Sequence, residues 1–171
     1  MIGMPNSKLL TIAVPAYNAA SYLHTCLDSL VQSGDEVEVL VVNDGSKDGT
    51  LQVARDYAER YPGIVVAVDQ ENRNWGGAVN HALELASGAF FYIVDSDDWL
   101  DSAKLTEVVS RLRMLEEQQA GVDLYMVNYV YNRVENGDRH TISYEKLLPS
   151  DRVVGWDAMS NPSLDQYIMI H

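Results

Sequence analysis

Two features of the sequence predict an α/β fold built on a mainly parallel sheet. Over roughly residues 9–120, short β-branched apolar runs alternate with segments of helical spacing, and most of those runs end in polar or acidic turns. The runs are predominantly apolar, as strands covered by helices on both faces require. The expected architecture is a three-layer α/β/α domain with a mainly parallel sheet and an antiparallel addition near residues 122–144.

The elements follow in order. Leu9 to Pro15 is a short apolar run that ends at proline, the mark of a buried strand. Ala20, Leu23, Leu27, Leu30 and Val31 then recur at helical spacing. Glu36 to Asn43 is a second strand, closed by the turn residues Asp44 to Gly49. A helix is expected from Thr50 to Tyr61, stopped by Pro62-Gly63. Ile64 to Asp69 is a third strand. Residues 70–76 read as a polar loop, and Gly77 to Ser87 as a helix closed by Gly88. Phe90 to Asp95 is a fourth strand, and Leu105, Val108, Val109, Leu112 and Leu115 mark one more amphipathic helix. Val122 to Val134 reads as a strand, with Asn136-Gly137 as a hairpin turn and a partner near Thr141 to Tyr144. Beyond residue 145 the pattern weakens, and residues 145–171 are expected to be an irregular acceptor-side segment of a single domain spanning 1–171.

Composition narrows the class. The 171 residues suffice for one domain with a core of its own. The single cysteine, Cys26, rules out a disulfide framework and reads as a small buried hydrophobe. The formal net charge of -13 disfavours nucleic acid and anionic lipid as partners. An anionic ligand remains compatible with such a chain when a divalent cation lies between them. No apolar stretch approaches the ~18 residues of a membrane span, and the N-terminus lacks a signal-peptide core. A cytoplasmic location is expected, with the full-length protein peripheral at the inner face of the membrane.

Right-handed crossovers place all the strand C-terminal ends on one edge, where ligands of such sheets bind. Three of those ends carry chemistry: Pro15-Ala16-Tyr17-Asn18, Asn43-Asp44-Gly45-Ser46 and Asp95-Ser96-Asp97-Asp98. Three carboxylates in four residues repel one another in a partly dry cleft, and a divalent cation relieves this. Mg²⁺ or Mn²⁺, which favours carboxylates together with phosphate oxygens, is the expected ion, held by Asp97, Asp95 and Asp98. One acid, Asp98 or Asp101, suffices to cap the next helix; three are more than capping needs.

Asp44 fits either an Asx-turn or an acceptor for a base or ribose. Its segment mimics a calcium loop, but Arg55 stands where the twelfth-position glutamate is required. Tyr17 fits base stacking or plain packing. Gly76, in Asn72 to Gly77, offers close backbone approach to a ligand. Trp75 and Trp99 suit core or site walls alike, and His24, His81 and His140 receive no role. No Walker lysine, G-x-G-x-x-G or G-x-S-x-G is present.

Ile12 to Asn18, Val42 to Thr50 and Val94 to Trp99 together resemble the family 2 glycosyltransferases of GT-A fold, in order and spacing, over residues 9–105. The tail resembles a branch found among bacterial polysaccharide transferases. The resemblance implies a nucleotide-activated sugar donor, usually a UDP-sugar, and inverting transfer to a saccharide or lipid-linked acceptor. It implies that Asp44 contacts the base, with Pro15 and Tyr17 lining the pocket and Asn18 beside them. Asp95-Ser96-Asp97 becomes a D-x-D motif, with Asp97 as main metal contact and Asp95 or Asp98 near ribose or metal.

Two departures stand out. The family's Ala-Arg-Asn is here Ala78-Val79-Asn80, which leaves any phosphate role to Arg73. The family's catalytic Asp or Glu has no match among Glu145, Asp151, Asp157 and Asp165, so the catalytic residue is unassigned. The chain is accordingly expected to be the N-terminal part of a longer protein that binds donor without efficient transfer. The competing readings are a non-catalytic nucleotide- or metal-binding module and a nucleotidyltransferase. The latter would need a glycine-rich basic loop where Pro15 to Ala20 stands.

Overall fold

The computed structural model describes residues 8–133, 137–145 and 152–155. The chain divides into two compact units, Met1–Met114 and Leu115–His171.

The first unit carries a four-stranded parallel sheet in the order β3-β2-β1-β4, built from β1 (Leu10–Ala16), β2 (Val37–Asp44), β3 (Val65–Gln70) and β4 (Phe90–Ile93). Helices α1 (Leu23–Leu30), α2 (Thr50–Arg60) and α3 (Asn74–Leu85) connect them, and α4 (Ser102–Glu117) follows β4. Every residue of the two inner strands, β1 and β2, is buried. The edge strands β3 and β4 are only partly covered, so burial falls where strand position dictates it. Ala13, Leu40 and Val42 pack with Ala78 and Ala82 of α3, where small helical residues let the helix lie close on the sheet.

Two polar residues interrupt the inner strands and satisfy each other. Thr11 and Glu38 are register partners. Glu38 Oε1 accepts from Thr11 Oγ1 at 2.5 Å and from the backbone and hydroxyl of Ser87 at 2.6 and 2.9 Å. Gly88 N donates to Thr11 Oγ1 at 2.9 Å. A buried carboxylate is tolerated here because donors converge on it. The same closeness requires glycine at position 88, since a Cβ there would lie 2.5 Å from Thr11 N.

The predicted strands and helices of this unit are present; β4 and α3 each end two residues early, and α3 starts three residues early. Residues 74–76 are not loop but the first turn of α3. Glycine is a poor helix former, which is why Gly76 and Gly77 read as loop. Gly77 has a packing reason to be there: a Cβ on it would lie 2.3 Å from Arg73 Cβ. Asp101 caps α4, with Oδ1 accepting from Ala103 N and Lys104 N at 3.0 and 3.1 Å.

The second unit holds an antiparallel pair, β5 (Tyr129–Arg133) and β6 (Asp138–Ile142), with Tyr129 opposite Ile142. It forms a sheet of its own and does not extend the parallel one. Residues 122–128, expected as strand, are irregular. Tyr129 packs edge-on against Tyr131 with ring centroids 5.3 Å apart and lies 6.5 Å from Tyr144. Most of the expected irregular segment 145–171 lies outside the described residues. No helix among the described residues is long and apolar enough to cross a membrane.

Candidate functional site

Strand order reverses around β1: β2 and β3 lie on one side of it and β4 on the other. A crevice at the C-terminal ends of the strands is the usual consequence of such a switch. The structure has a cleft there of about 250 Å³, lined by Pro15, Ala16, Tyr17, Asp44, Trp75, Ala78, Asp95, Ser96 and Asp97. Segments from β1, β2 and the turn after β4, up to 82 positions apart, thus share one wall system.

The turns after β1 and β2 are stitched together. Asn18 N donates to Ser46 Oγ at 3.0 Å, and Lys47 N donates to Asn18 Oδ1 at 2.8 Å. Ala19 N donates to Thr50 Oγ1 at 2.7 Å and Ala20 N to Asp48 Oδ2 at 3.1 Å. Asp48 Oδ1 in turn accepts from Thr50 N and Oγ1, and the Thr50 hydroxyl holds the Asp48 carboxyl below its usual range. The Asp44 to Thr50 segment is therefore clasped by polar contacts to the turn after β1. Asn18 adopts φ +50°, a left-handed conformation that asparagine tolerates better than most residues.

Asp44 closes β2 and is 3% exposed. Its Oδ1 accepts from Gln70 Nε2 at 2.6 Å and from Arg73 N at 2.7 Å. Its backbone carbonyl accepts from Asn72 Nδ2 at 3.0 Å. Among the described residues Oδ2 accepts no hydrogen bond, while Asp44 lines the cleft. Gly45 permits the following loop to approach: it has φ +69°, and a Cβ would lie 2.8 Å from Asn72 N.

The opposite wall is acidic. Asp95, Asp97 and Asp98 are exposed, and Ser96 is buried between them. Trp75 Nε1 donates to Asp95 Oδ1 at 2.8 Å, and Trp75 is 47% exposed, so its ring is a site wall rather than core. Tyr17, 50% exposed, supplies a second aromatic surface in the same cleft. Desolvation pushes the Asp98 carboxyl above its usual range, and the charges of Asp97 and Asp95 add to the shift. Below the cluster, burial pushes the Cys26 thiol up to about 12, with Asp98, Asp97 and Asp95 contributing. Cys26 is fully buried, 3.8 Å from the Asp95 carbonyl, as a small hydrophobe should be.

Crowded carboxylates of this kind suit a hard divalent cation. Among the described residues no three His, Cys, Asp or Glu side chains form a group able to hold a metal by themselves. Mg²⁺ and Mn²⁺ sites that use one or two carboxylates and complete their shell with substrate phosphates and water need no such group. The donor set at Asp95 and Asp97 fits that mode.

The structure thus brings Pro15, Tyr17, Asp44, Asp95, Ser96 and Asp97 to one cleft. Asn18, Gly76 and Asp98 are not among its lining residues: Asn18 clasps the turns, Gly76 stands in α3 with open space above its Cα, and Asp98 N bonds back to the Asp95 carbonyl at 2.9 Å. Sequence reasoning missed Gln70 and the role of Trp75. Gln70 is the register partner of Asp44, a relation visible only once the β2–β3 pairing is known.

Comparisons with known proteins bear on the family and the fold. The family model described as glycosyl transferase family 2 matches residues 11–163. Glycosyltransferase GlyA of Streptococcus pneumoniae is 36% identical over 121 residues, covering 70% of this chain and 16% of that protein. TarS of S. aureus in complex with UDP-GlcNAc superimposes with a TM-score of 0.56 at 29% identity, covering 65% of this chain and 32% of that chain. The mannosyltransferase PcManGT of Pyrobaculum calidifontis, in complex with GDP-Man and Mn²⁺, gives a TM-score of 0.53 at 31% identity, covering 61% and 32%. The matches to the first three curated relatives cover 36%, 34% and 16% of those proteins' lengths. With a family model matched over most of its length and a parallel-sheet fold shared with solved glycosyltransferases, the chain belongs to glycosyl transferase family 2.

Proposed function

We propose that this chain is the nucleotide-sugar-binding part of a metal-dependent, inverting glycosyltransferase that takes a UDP-sugar donor. The observation that carries the reading is that Asp44, Asp95 and Asp97 line one cleft. A buried acceptor at one end and paired carboxylates at the other match a ligand with a nucleobase N–H at one end and a diphosphate at the other. The complexes of TarS with UDP-GlcNAc and of PcManGT with GDP-Man and Mn²⁺ support it.

In this reading each residue has a physical task. Asp44 Oδ2 accepts from the base N–H, and Oδ1 is held by Gln70 and Arg73. Tyr17 offers a stacking face and Pro15 a rigid apolar edge, while Ala78 leaves room where a longer side chain would intrude. Gly76 permits backbone approach at the start of α3. Asp97, with Asp95 or Asp98, would hold Mg²⁺ or Mn²⁺. When bound, the metal supplies Lewis-acid stabilisation of the departing diphosphate. The Trp75 indole holds Asp95 Oδ1 through a hydrogen bond. Displacement at the anomeric carbon needs a base for the acceptor hydroxyl, and no described residue is assigned to it. The acceptor is proposed to be a saccharide or lipid-linked saccharide.

The test is isothermal titration of UDP with Mn²⁺ or Mg²⁺, before and after chelation, for the wild type and Asp97→Ala. Metal-supported binding in the wild type and its loss in the variant are expected. Equal, metal-independent affinity in both proteins would remove the acidic cluster from the site.

A further inference from the structure

We propose that His81 and Gln70 form a positioning relay for Asp44, and that this relay sets the cleft's selectivity for a nucleobase with a ring N–H. The proposal rests on the UDP reading above and adds to it two residues outside the cleft lining.

The relay runs inward from α3 to the sheet edge. His81 Nδ1 lies 2.7 Å from Gln70 Oε1, and Gln70 Nε2 lies 2.6 Å from Asp44 Oδ1. Gln70 ends β3 directly beside Asp44 in the sheet register, so the backbone ladder fixes the spacing of the second contact. Hydrogen-bond polarity fixes the rest. An ionised carboxylate only accepts, so the Gln70 amide must turn its NH₂ toward Asp44. Its carbonyl oxygen then faces His81, and an oxygen acceptor needs a donor: His81 Nδ1 carries the hydrogen. With Asp44 ionised, this arrangement satisfies all three groups.

The consequence falls on Asp44. Two donors, Gln70 Nε2 and Arg73 N, occupy Oδ1 and oppose rotation of the carboxylate. Oδ2 is left as the acceptor for the cleft. Without His81 the Gln70 carbonyl loses its anchoring donor, and the amide is tethered through Asp44 alone. A loosened amide holds Oδ1 less firmly and lets the carboxylate turn. Gln70 and His81 are thus positioning residues that act through Asp44.

The experiment compares UDP with N3-methyl-UDP, which lacks the ring N–H, in Mn²⁺-containing buffer. Gln70→Leu and His81→Phe should each weaken UDP about 2- to 12-fold, the equivalent of one ordinary hydrogen bond, with N3-methyl-UDP changed less than about twofold. His81→Asn, whose amide nitrogen can replace the Nδ1 donor, should restore UDP affinity. Nitrogen-15 spectra of the free protein should show the His81 ring protonated at Nδ1. Equal weakening of both ligands, or failure of His81→Asn to rescue, reduces the relay to a structural role and overturns the proposal. Should Gln70→Leu not fold, the two His81 variants decide the matter alone. If the wild type itself binds UDP and N3-methyl-UDP equally, the base contact of Asp44 is wrong, and the relay's role falls with it.

Discussion

Asp44→Asn should turn the cleft's preference from UDP toward CDP. In the wild type, Oδ1 is held by two N–H donors and Oδ2 is left for the ligand. Asparagine has one acceptor and one donor end. Its oxygen must stay on the Gln70 and Arg73 side, because the reverse orientation would set its NH₂ against two N–H groups. The NH₂ therefore takes the place of Oδ2. Uracil offers N3–H there, and two donors then face each other. Cytosine offers N3 as an acceptor and finds a match.

The magnitudes follow from hydrogen-bond energetics. A bond to a charged acceptor is worth about 1.5–3 kcal/mol, so UDP binding should fall about 10- to 150-fold in Asp44→Asn. A new neutral bond to cytosine N3 should improve CDP binding about 2- to 12-fold. Stability should drop modestly, because both Oδ1 bonds survive with a neutral acceptor at about half their strength. Asp44→Ala is the contrast: it removes the acceptor of the part-buried Arg73 N–H and Gln70 amide, at about 0.5–1.5 kcal/mol each. Titration calorimetry with UDP and CDP, alongside thermal melts, measures all of this. An Asp44→Asn protein that folds normally yet keeps the wild-type ratio of UDP to CDP affinity would refute the argument.

Two further outcomes are expected. Gly88→Ala should destabilise the fold by about 1–3 kcal/mol through overpacking, since its Cβ would press on backbone atoms of β1, whereas Gly49→Ala should be mild because its Cβ would sit 3.7 Å from Ala20 Cβ; urea unfolding of both variants checks it. Cys26 should resist iodoacetamide at pH 8 in the native protein and react fully after unfolding, because the buried thiol is held up to about 12 and reactive thiolate is scarce; mass spectrometry of labelled protein reads the difference.

The parallel sheet was legible because its inner strands are predominantly apolar on both faces. Leu10–Ala16 and Val37–Asp44 have little choice but to be covered from both sides, and helical spacing between them supplies the cover. The hairpin at 129–142 was visible from its turn, but its separation from the main sheet was not, because alternation alone does not name a strand's neighbour. The start of α3 was misplaced because propensity opposes glycine in a helix while packing against Arg73 demands it. Glu38 was invisible as a buried charge: its three donors come from residues 27 and 49 positions away.

The site was legible at the strand ends and illegible one layer behind them. Asp44, Asp95 and Asp97 declare themselves because acids directly after apolar strands need a reason that turns and caps only partly give. Asp101, not Asp98, does the capping, which frees the earlier acids for the cleft. What the sequence conceals is how each acid is aimed. Trp75 holds Asp95 from 20 residues upstream, and Gln70 holds Asp44 from 26 residues downstream, both through contacts that only the folded sheet creates. Among the described residues no three acidic side chains close on an ion. The acids are spread along a turn that faces the cleft, so a cation there must take part of its coordination from what the cleft binds. Metal and nucleotide should therefore bind as a linked pair, each weakly alone, with the diphosphate supplying the oxygens the protein does not.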